Sequence, residues 1–172
     1  LGLMNQHFVI RQQDYFGKAD ERRRWPIEQK ESYRWLRHFK QMQALSEQHQ
    51  RTMIFVADRE ADMMEIYNAR RCPFAHFVIR SQFNRCTTQD KTKLYDVLEQ
   101  QPYEYVFQIN ISHPKTRKKR LAKLSVRYTS VEIALNQGTQ KLRHKRHLKP
   151  LTIFALQVRE LDAPSDIETP IN

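Results

Sequence analysis

The order of apolar and polar positions changes near residue 85, and the chain before that point has the pattern of an α/β fold. Residues 52–57 and 74–79 are apolar at nearly every position, and residues 59–71 between them have helical spacing. A strand without a polar face is typical of strands that helices cover on both sides. Strand, helix and strand in this order predict a parallel βαβ unit.

A longer helix is predicted before this unit. Pro26 favours a helix start, because the first turn has no partner for its N–H groups, and the helical pattern ends near Gln48. Apolar side chains recur along this segment at helical spacing, at Trp35, Phe39, Met42 and Leu45. Further upstream, residues 6–11 predict a short strand, which a polar and charged loop follows.

After residue 85 the pattern predicts strands with short connections. A short helix around Tyr95, Val97 and Leu98 ends before Pro102. Strands are predicted at residues 103–112, 122–128, 131–135 and 151–158, with a turn at residues 136–138. Alternation of this kind predicts an antiparallel sheet with one solvated face. We therefore divide the chain into a partial α/β core, residues 1–85, and a mainly antiparallel β module, residues 86–172.

The βαβ unit places two chemistry-bearing residues at the same edge of the sheet. Asp58 follows the first apolar strand and Arg80 follows the second, and ligands bind at the carboxyl edge of open α/β sheets. A carboxylate held there suits Mg²⁺, which prefers oxygen ligands, and two such ions can clamp a phosphodiester. The alternative is that Asp58 caps the following helix, since aspartate is a preferred N-cap residue.

The net charge of the chain indicates a class of binding partner. Thirty lysines and arginines against 19 aspartates and glutamates give a net charge of +11, which attracts polyanions, and we expect double-stranded DNA. A protein with a merely basic surface is the alternative. Three glycines, without phosphate-loop spacing, argue against the common nucleotide-binding enzymes. Two cysteines and no bilayer-length apolar stretch predict a cytoplasmic protein with reduced thiols and no membrane partner.

The positive charge is clustered in the β module. The first cluster lies at a predicted hairpin and continues onto the next strand; its members are Lys115, Arg117, Lys118, Lys119, Arg120, Lys123 and Arg127. The second follows a later strand, at Lys141, Arg143, Lys145, Arg146 and Lys149. Such groups contact phosphates and position a protein on DNA without reading its sequence. A solvated hairpin is the alternative for either cluster.

Several short strings resemble the DDE transposases of bacterial insertion sequences. The most specific is Asp58-Arg59-Glu60-Ala61-Asp62 at the end of an apolar strand. The other matches follow the same order along nearly the whole chain: Gly2-Leu3, Lys30-Glu31-Ser32, Trp35-Leu36, Phe77-Val78-Ile79-Arg80-Ser81, Leu94-Tyr95-Asp96, Pro102, Asn136-Gln137-Gly138 and Glu168-Thr169-Pro170. Ordered matches over this length are more specific than one five-residue string.

The resemblance implies a ribonuclease-H-like core with an antiparallel β insertion. Asp58 would be the second carboxylate of the catalytic triad and a ligand to Mg²⁺ or Mn²⁺, and Arg80 would face transposon-end DNA. The family cuts DNA at transposon ends with metal-activated water and joins the freed 3′ hydroxyl to target DNA. Glu60 and Asp62 belong to the matched string without a catalytic role, and we expect them to serve ion pairing and helix N-terminal charge.

The chain also departs from the family pattern. The first carboxylate of the triad belongs upstream of the matched residues, and Asp14 and Asp20 lie in a charged loop that does not suit it. The third belongs to a later helix with a Tyr, Arg, Glu, Lys signature, and a tryptophan expected after Glu168-Thr169-Pro170 is also missing. Both ends of the sequence look cut from a longer polypeptide. We therefore expect an internal fragment that does not hold the metals stably and does not catalyse alone.

Two other functions remain open. A truncated transposase, or a partner subunit, would bind DNA as a remnant or regulator without catalysis. An unrelated basic β module would bind RNA instead, although the chain lacks the interleaved aromatic and basic residues that stack bases. A homodimer of the full-length protein also remains open.

Overall fold

A computed structural model describes residues 8, 21, 24–89, 92–112, 119–135 and 148–163 of the chain. Within these ranges the fold is mixed α/β, with a parallel sheet of two strands and an antiparallel sheet of three. The helices are α1 (Tyr33–His49), α2 (Met64–Tyr67) and α3 (Leu94–Glu99), with 3-10 turns at Ile27–Gln29 and Arg59–Ala61. The strands are β1 (Met53–Ala57), β2 (Ala75–Ile79), β3 (Tyr105–Ser112), β4 (Lys119–Ile133) and β5 (Leu151–Leu161). The predicted mixed class is confirmed.

The predicted parallel pair is present, but among the described residues other elements pack against only one of its faces. β1 and β2 run parallel, with Met53 opposite Ala75 and Ala57 opposite Ile79. Phe55 and Phe77 pack against Phe39 of α1, with ring centroids 5.4 and 6.2 Å from that ring. On the opposite face, Val56 is 73% exposed, and Ile54 and Val78 are more than half exposed. The expectation that helices cover both faces is therefore wrong for the described residues.

Helix α1 starts later than the sequence predicts. Pro26 precedes only a 3-10 turn, and Lys30 then adopts an extended backbone, φ −102° and ψ 147°, which interrupts the helical path before Tyr33. The helix ends at Gln50 in the left-handed region, with φ 48°. Leu36 and Phe39 are its buried apolar residues, and Trp35 and Met42 are partly buried against the same cluster, so the predicted stripe is confirmed at Trp35, Phe39 and Met42.

The helix predicted at residues 59–71 is replaced by two short turns of helix. The 3-10 turn Arg59–Ala61 ends at Asp62, whose ψ of 74° is not helical, and Met63 is extended at φ −135° and ψ 143°. The helical path resumes only for the four residues of α2. The physical reason lies in the side chain of Asp62, which accepts the backbone N–H groups of Gln82 and Phe83 after β2 in addition to the Tyr67 hydroxyl.

The antiparallel prediction is confirmed, with strand order β3-β4-β5. β4 is one continuous strand of 15 residues where the sequence predicted two. Ala122 and Leu124 are buried on one face of β4, whereas Val131 and Ile133 are buried on the other. Because the buried face changes within the strand, no single alternating pattern describes its whole length.

One hydrophobic cluster draws on both sides of residue 85. Its buried members are Met64, Tyr67, Leu94, Leu98, Val131, Ile133, Leu148 and Ala155, and Phe77 and Ile79 pack against it. A second cluster, with Leu36, Phe39, Ala61 and Ile66 at its centre, lies under α1. The carboxyl edge of β1 and β2 is thus supported by α1 and by the antiparallel sheet.

Several predicted features lie outside the described residues: the strand at 6–11, the turn at 136–138, most of the second basic cluster, and Lys115, Arg117 and Lys118. In the described ranges, no helix combines the length and the apolar character that crossing a membrane requires.

Candidate functional site

Asp58 and Arg80 lie at the same edge of the parallel sheet. Ala57 and Ile79 are register partners at the ends of β1 and β2, and the next residues along the chain are Asp58 and Arg80. The backbone N–H of Arg80 donates to the carbonyl of Ala57 at 3.1 Å, which extends the ladder by one bond. Both residues are exposed. Their predicted placement at one edge is therefore confirmed.

The carboxylate of Asp58 caps the turn that follows it. Its Oδ1 accepts a hydrogen bond from the backbone N–H of Glu60 at 3.0 Å, and its backbone is extended, as an N-cap residue requires. The capping role left open by the sequence is therefore confirmed. Capping occupies one oxygen, and the second receives no hydrogen bond from the part of the chain that the structure describes. An exposed carboxylate oxygen remains for a ligand.

The described residues alone do not make a complete metal site. They include no group of three or more His, Cys, Asp or Glu side chains that could hold a metal ion. Asp58 could contribute one oxygen ligand, whereas Mg²⁺ requires near-octahedral coordination. No chemical step through a metal is therefore derived from these residues.

Glu60 connects this edge to α1. Its Oε2 accepts hydrogen bonds from the Arg34 guanidinium and, at 3.3 Å, from the Trp35 indole Nε1. The Arg34 guanidinium also lies 5.7 Å from the centroid of the Trp35 ring. The expectation that Glu60 takes part in ion pairing is confirmed, and the pair is exposed to solvent.

Asp62 is the residue whose importance the sequence did not reveal. Its side chain is 1% exposed and forms an ion pair with Arg85, whose Nε lies 3.0 Å and whose Nη2 lies 2.5 Å from Oδ1. The Tyr67 hydroxyl donates to the same oxygen at 2.8 Å. The backbone N–H groups of Gln82 and Phe83 donate to Oδ2 at 2.7 and 3.1 Å. Ion pairing was expected, but the ion-pair partner Arg85 lies 23 residues away, and no spacing rule identifies it.

Burial raises the pKa of the Tyr67 phenol well above its ordinary value, and the charge of Asp62 and its hydrogen bond raise that pKa further. The Arg85 guanidinium opposes these effects and lowers it. That guanidinium lies 5.7 Å from the Tyr67 ring centroid and 5.3 Å from the Phe83 ring centroid. The Asp62 carboxylate is thus paired with the Arg85 guanidinium beside the buried Tyr67 side chain.

The basic residues of β4 differ in their surroundings: two lysines are exposed, Arg120 is paired with a buried carboxylate, and Arg127 is itself buried. Lys119 and Lys123 are exposed on one face, where they flank the exposed side chain of Leu121. Arg120 is on the other face, and both of its terminal nitrogens bond to the buried carboxylate of Glu160. Lys119 and Arg120 already belong to the strand rather than to the predicted hairpin.

Arg127 does not have the placement expected of a residue that contacts DNA. It is 5% exposed; its Nε donates to Gln157 Oε1 at 2.8 Å and its Nη1 to the Glu99 carbonyl at 2.8 Å. The guanidinium lies 5.4 Å from the Tyr103 ring centroid. A guanidinium buried between α3 and β5 is not available to a phosphate. The prediction that Arg127 contacts DNA is therefore not supported by its position.

Models of known protein families add nothing to this geometry. A scan of the chain against models of known protein families found no match. The arrangement can offer one carboxylate oxygen and one guanidinium at a single sheet edge, together with two exposed lysines on β4. The carboxylate and guanidinium at the sheet edge suit an anionic ligand that also carries a cation, as a phosphodiester with bound metal does, and the β4 lysines are a separate pair of exposed cations.

Proposed function

We propose that this chain is the central part of a DDE transposase of bacterial insertion sequences. In this proposal the parallel unit belongs to a ribonuclease-H-like core and the antiparallel sheet to a β insertion. The parent protein would bind transposon ends and carry out metal-dependent DNA cleavage and strand transfer. The chain itself supplies one carboxylate of the triad and part of the DNA-contacting surface.

The observation that supports the proposal most is the position of Asp58 beside Arg80. The two follow register partners at the carboxyl edge, where open α/β sheets bind ligands. Asp58 would give one oxygen ligand to Mg²⁺ or Mn²⁺ while it continues to cap the next turn. Arg80 would hold a phosphate, which its planar guanidinium can contact through two hydrogen bonds.

The test is binding of the chain to short duplex DNA at several salt concentrations. We expect the logarithm of the binding constant to fall linearly with the logarithm of salt concentration, because phosphate contacts release counterions. Arg80→Ala should weaken binding and make the salt slope shallower by about one phosphate contact. Excess duplex RNA should compete poorly. Salt-insensitive binding, or a preference for RNA, would contradict the proposal.

Arg51 provides a matched control for Arg80. It is also exposed but lies just before β1, at the opposite end of a strand of five residues. At about 3.3 Å per residue, the two ends of such a strand are well separated. Arg51→Ala removes the same charge, so an equal effect from both variants would indicate that only net charge matters and that the carboxyl edge is not the DNA site.

Catalysis is tested separately. We expect no plasmid nicking or strand transfer by this chain with Mg²⁺ or Mn²⁺, because the resemblance matches only one carboxylate of the triad. Robust metal-dependent activity that Asp58→Asn abolishes would show that the other two carboxylates have been placed wrongly. Asn keeps the N-cap, so this variant separates the metal role from the capping role.

A further inference from the structure

The carboxylate of Asp62 joins the two loops that leave the carboxyl edge of the parallel sheet. It lies in the loop after β1, four residues beyond Asp58. Its Oδ2 accepts the backbone N–H groups of Gln82 and Phe83, which lie two and three residues beyond Arg80 in the loop after β2. One side chain thus holds the loop that carries Arg80 against the loop that carries Asp58.

The backbone at Arg80 is fixed on both sides by these bonds. On one side its own N–H bonds to the Ala57 carbonyl at 3.1 Å. On the other, Gln82 is held at 2.7 Å from Asp62. A guanidinium on a long side chain contacts a phosphate more strongly when the backbone that carries it is already in place, because less conformational freedom is lost on binding.

The Asp62 carboxylate is itself held rigidly. Arg85 neutralises it through two nitrogens on Oδ1, and the same guanidinium donates to the Asp62 carbonyl at 2.8 Å. The side chain is 1% exposed, so water does not compete for these bonds. Charge-assisted hydrogen bonds of this kind are among the strongest in proteins.

We propose that Asp62 is a positioning residue that fixes the loop after β2 so that Arg80 is presented to a DNA phosphate next to Asp58. This inference rests on the proposed function, since it assumes that Arg80 contacts DNA. It adds a role for a carboxylate that is buried and therefore contacts neither DNA nor metal.

The test is a double-mutant cycle on duplex DNA binding, with Asp62→Asn, Arg80→Ala and the double variant. Arg80→Ala should weaken binding roughly tenfold, as expected for loss of a hydrogen bond to a charged group. Asp62→Asn should cause most of that loss, and the double variant should bind no more weakly than Arg80→Ala. Such coupling is not expected of a residue that only stabilises the fold. If the two losses multiply in the double variant, the positioning role is wrong.

Tyr67→Phe is the matched control within the same cluster. It removes one hydrogen bond to Asp62 but leaves both bonds to the loop after β2. We expect it to leave DNA affinity and the effect of Arg80→Ala unchanged. If Tyr67→Phe weakens binding as much as Asp62→Asn does, general destabilisation explains the loss and the inference fails.

Hydrogen exchange tests the same idea in the unaltered chain, whether or not Asp62→Asn folds. The amides of Gln82 and Phe83 should be protected before DNA is added, and rapid exchange there would overturn the inference. The two proposals also fail differently. If Arg80→Ala alone leaves DNA binding intact, the assignment of Arg80 as a DNA contact is wrong; if it weakens binding without coupling to Asp62, only the positioning role is wrong.

Discussion

Asn68 and Lys149 exchange two hydrogen bonds across the boundary between the α/β unit and the antiparallel sheet. The backbone N–H of Lys149 donates to Asn68 Oδ1 at 2.9 Å, and Asn68 Nδ2 donates to the Lys149 carbonyl at 3.2 Å. The contact ties the residue that follows α2 to the segment that leads into β5, 81 residues later. It is a specific polar link beside the hydrophobic cluster that the two parts share.

This pair predicts a graded response to substitution at Asn68. Asn68→Ala should lower the free energy of unfolding by about 1–2 kcal/mol, since both hydrogen bonds with Lys149 are lost together with the bond of Asn68 Nδ2 to the Met64 carbonyl. Asn68→Asp keeps the acceptor for the Lys149 N–H but turns a carboxylate oxygen toward the Met64 and Lys149 carbonyls, so we expect a loss at least as large as that of Asn68→Ala. Urea unfolding of the unaltered chain and the two variants measures the order of their stabilities. Equal stability of all three would show that the contact between Asn68 and Lys149 contributes nothing.

The buried ion pair of Asp62 and Arg85 predicts a larger effect. Arg85→Met keeps an apolar stem but leaves the Asp62 carboxylate buried without its cation, which typically costs about 3–5 kcal/mol. Arg34→Met is the control, because the pair of Arg34 with Glu60 is exposed and such pairs contribute about 0–1 kcal/mol. Denaturant unfolding of both variants provides the comparison. Similar losses in the two would mean that Asp62 is not buried as described.

Tyr67 predicts a loss of stability at alkaline pH. Burial raises its pKa in the folded state, whereas an unfolded tyrosine ionises at about pH 10. Above that pH the unfolded chain releases a proton that the folded chain keeps, so the stability contributed by the neutral phenol is complete below pH 10 and falls as pH rises. Tyr67→Phe should remove this part of the pH dependence. The measurement is the free energy of unfolding from about pH 8 to 11, and parallel profiles for the two proteins would contradict the prediction.

The elements that the sequence predicted well are those set by local pattern. β1 and β2 each read as a short apolar run, and the parallel pairing that brings Asp58 and Arg80 to one edge follows from the strand, helix, strand order. Likewise, α3 begins at Leu94 and ends before Pro102, because its apolar spacing and the proline are both local signals.

The elements that it missed depend on contacts between distant residues. Asp62 breaks the predicted helix because most of its partners come from the segment after β2, which a window around residue 62 does not contain. Arg127 reads as a basic residue on an alternating strand, but the buried face of β4 changes after Leu124, so its guanidinium is enclosed near α3 and β5. Which face of a strand is covered is a property of the neighbouring elements.

The face of the parallel sheet that the described residues leave exposed gives a further prediction. Val56→Thr should change the free energy of unfolding by no more than about 0.5 kcal/mol, as expected of an exposed position on a strand. Phe39→Ala, on the covered side, should cost about 3–5 kcal/mol because its ring is fully buried. Thermal or denaturant unfolding measures both. A large loss for Val56→Thr would indicate that another surface covers this face in solution.

Lys123 and Arg127 give opposite predictions although they lie on the same face of β4. Lys123 is exposed, so Lys123→Met should leave stability nearly unchanged; if the chain binds DNA as proposed, the variant should also bind more weakly in a salt-dependent way, because it would lose one phosphate contact. Arg127→Met should lower stability by about 1–3 kcal/mol, since the Glu99 carbonyl and the Gln157 side chain lose their buried donor. At temperatures where it is folded, Arg127→Met should bind DNA as the unaltered chain does. Paired measurements of unfolding and of DNA affinity separate the two residues; a loss of DNA affinity in folded Arg127→Met equal to that in Lys123→Met would show that Arg127 reaches DNA after all.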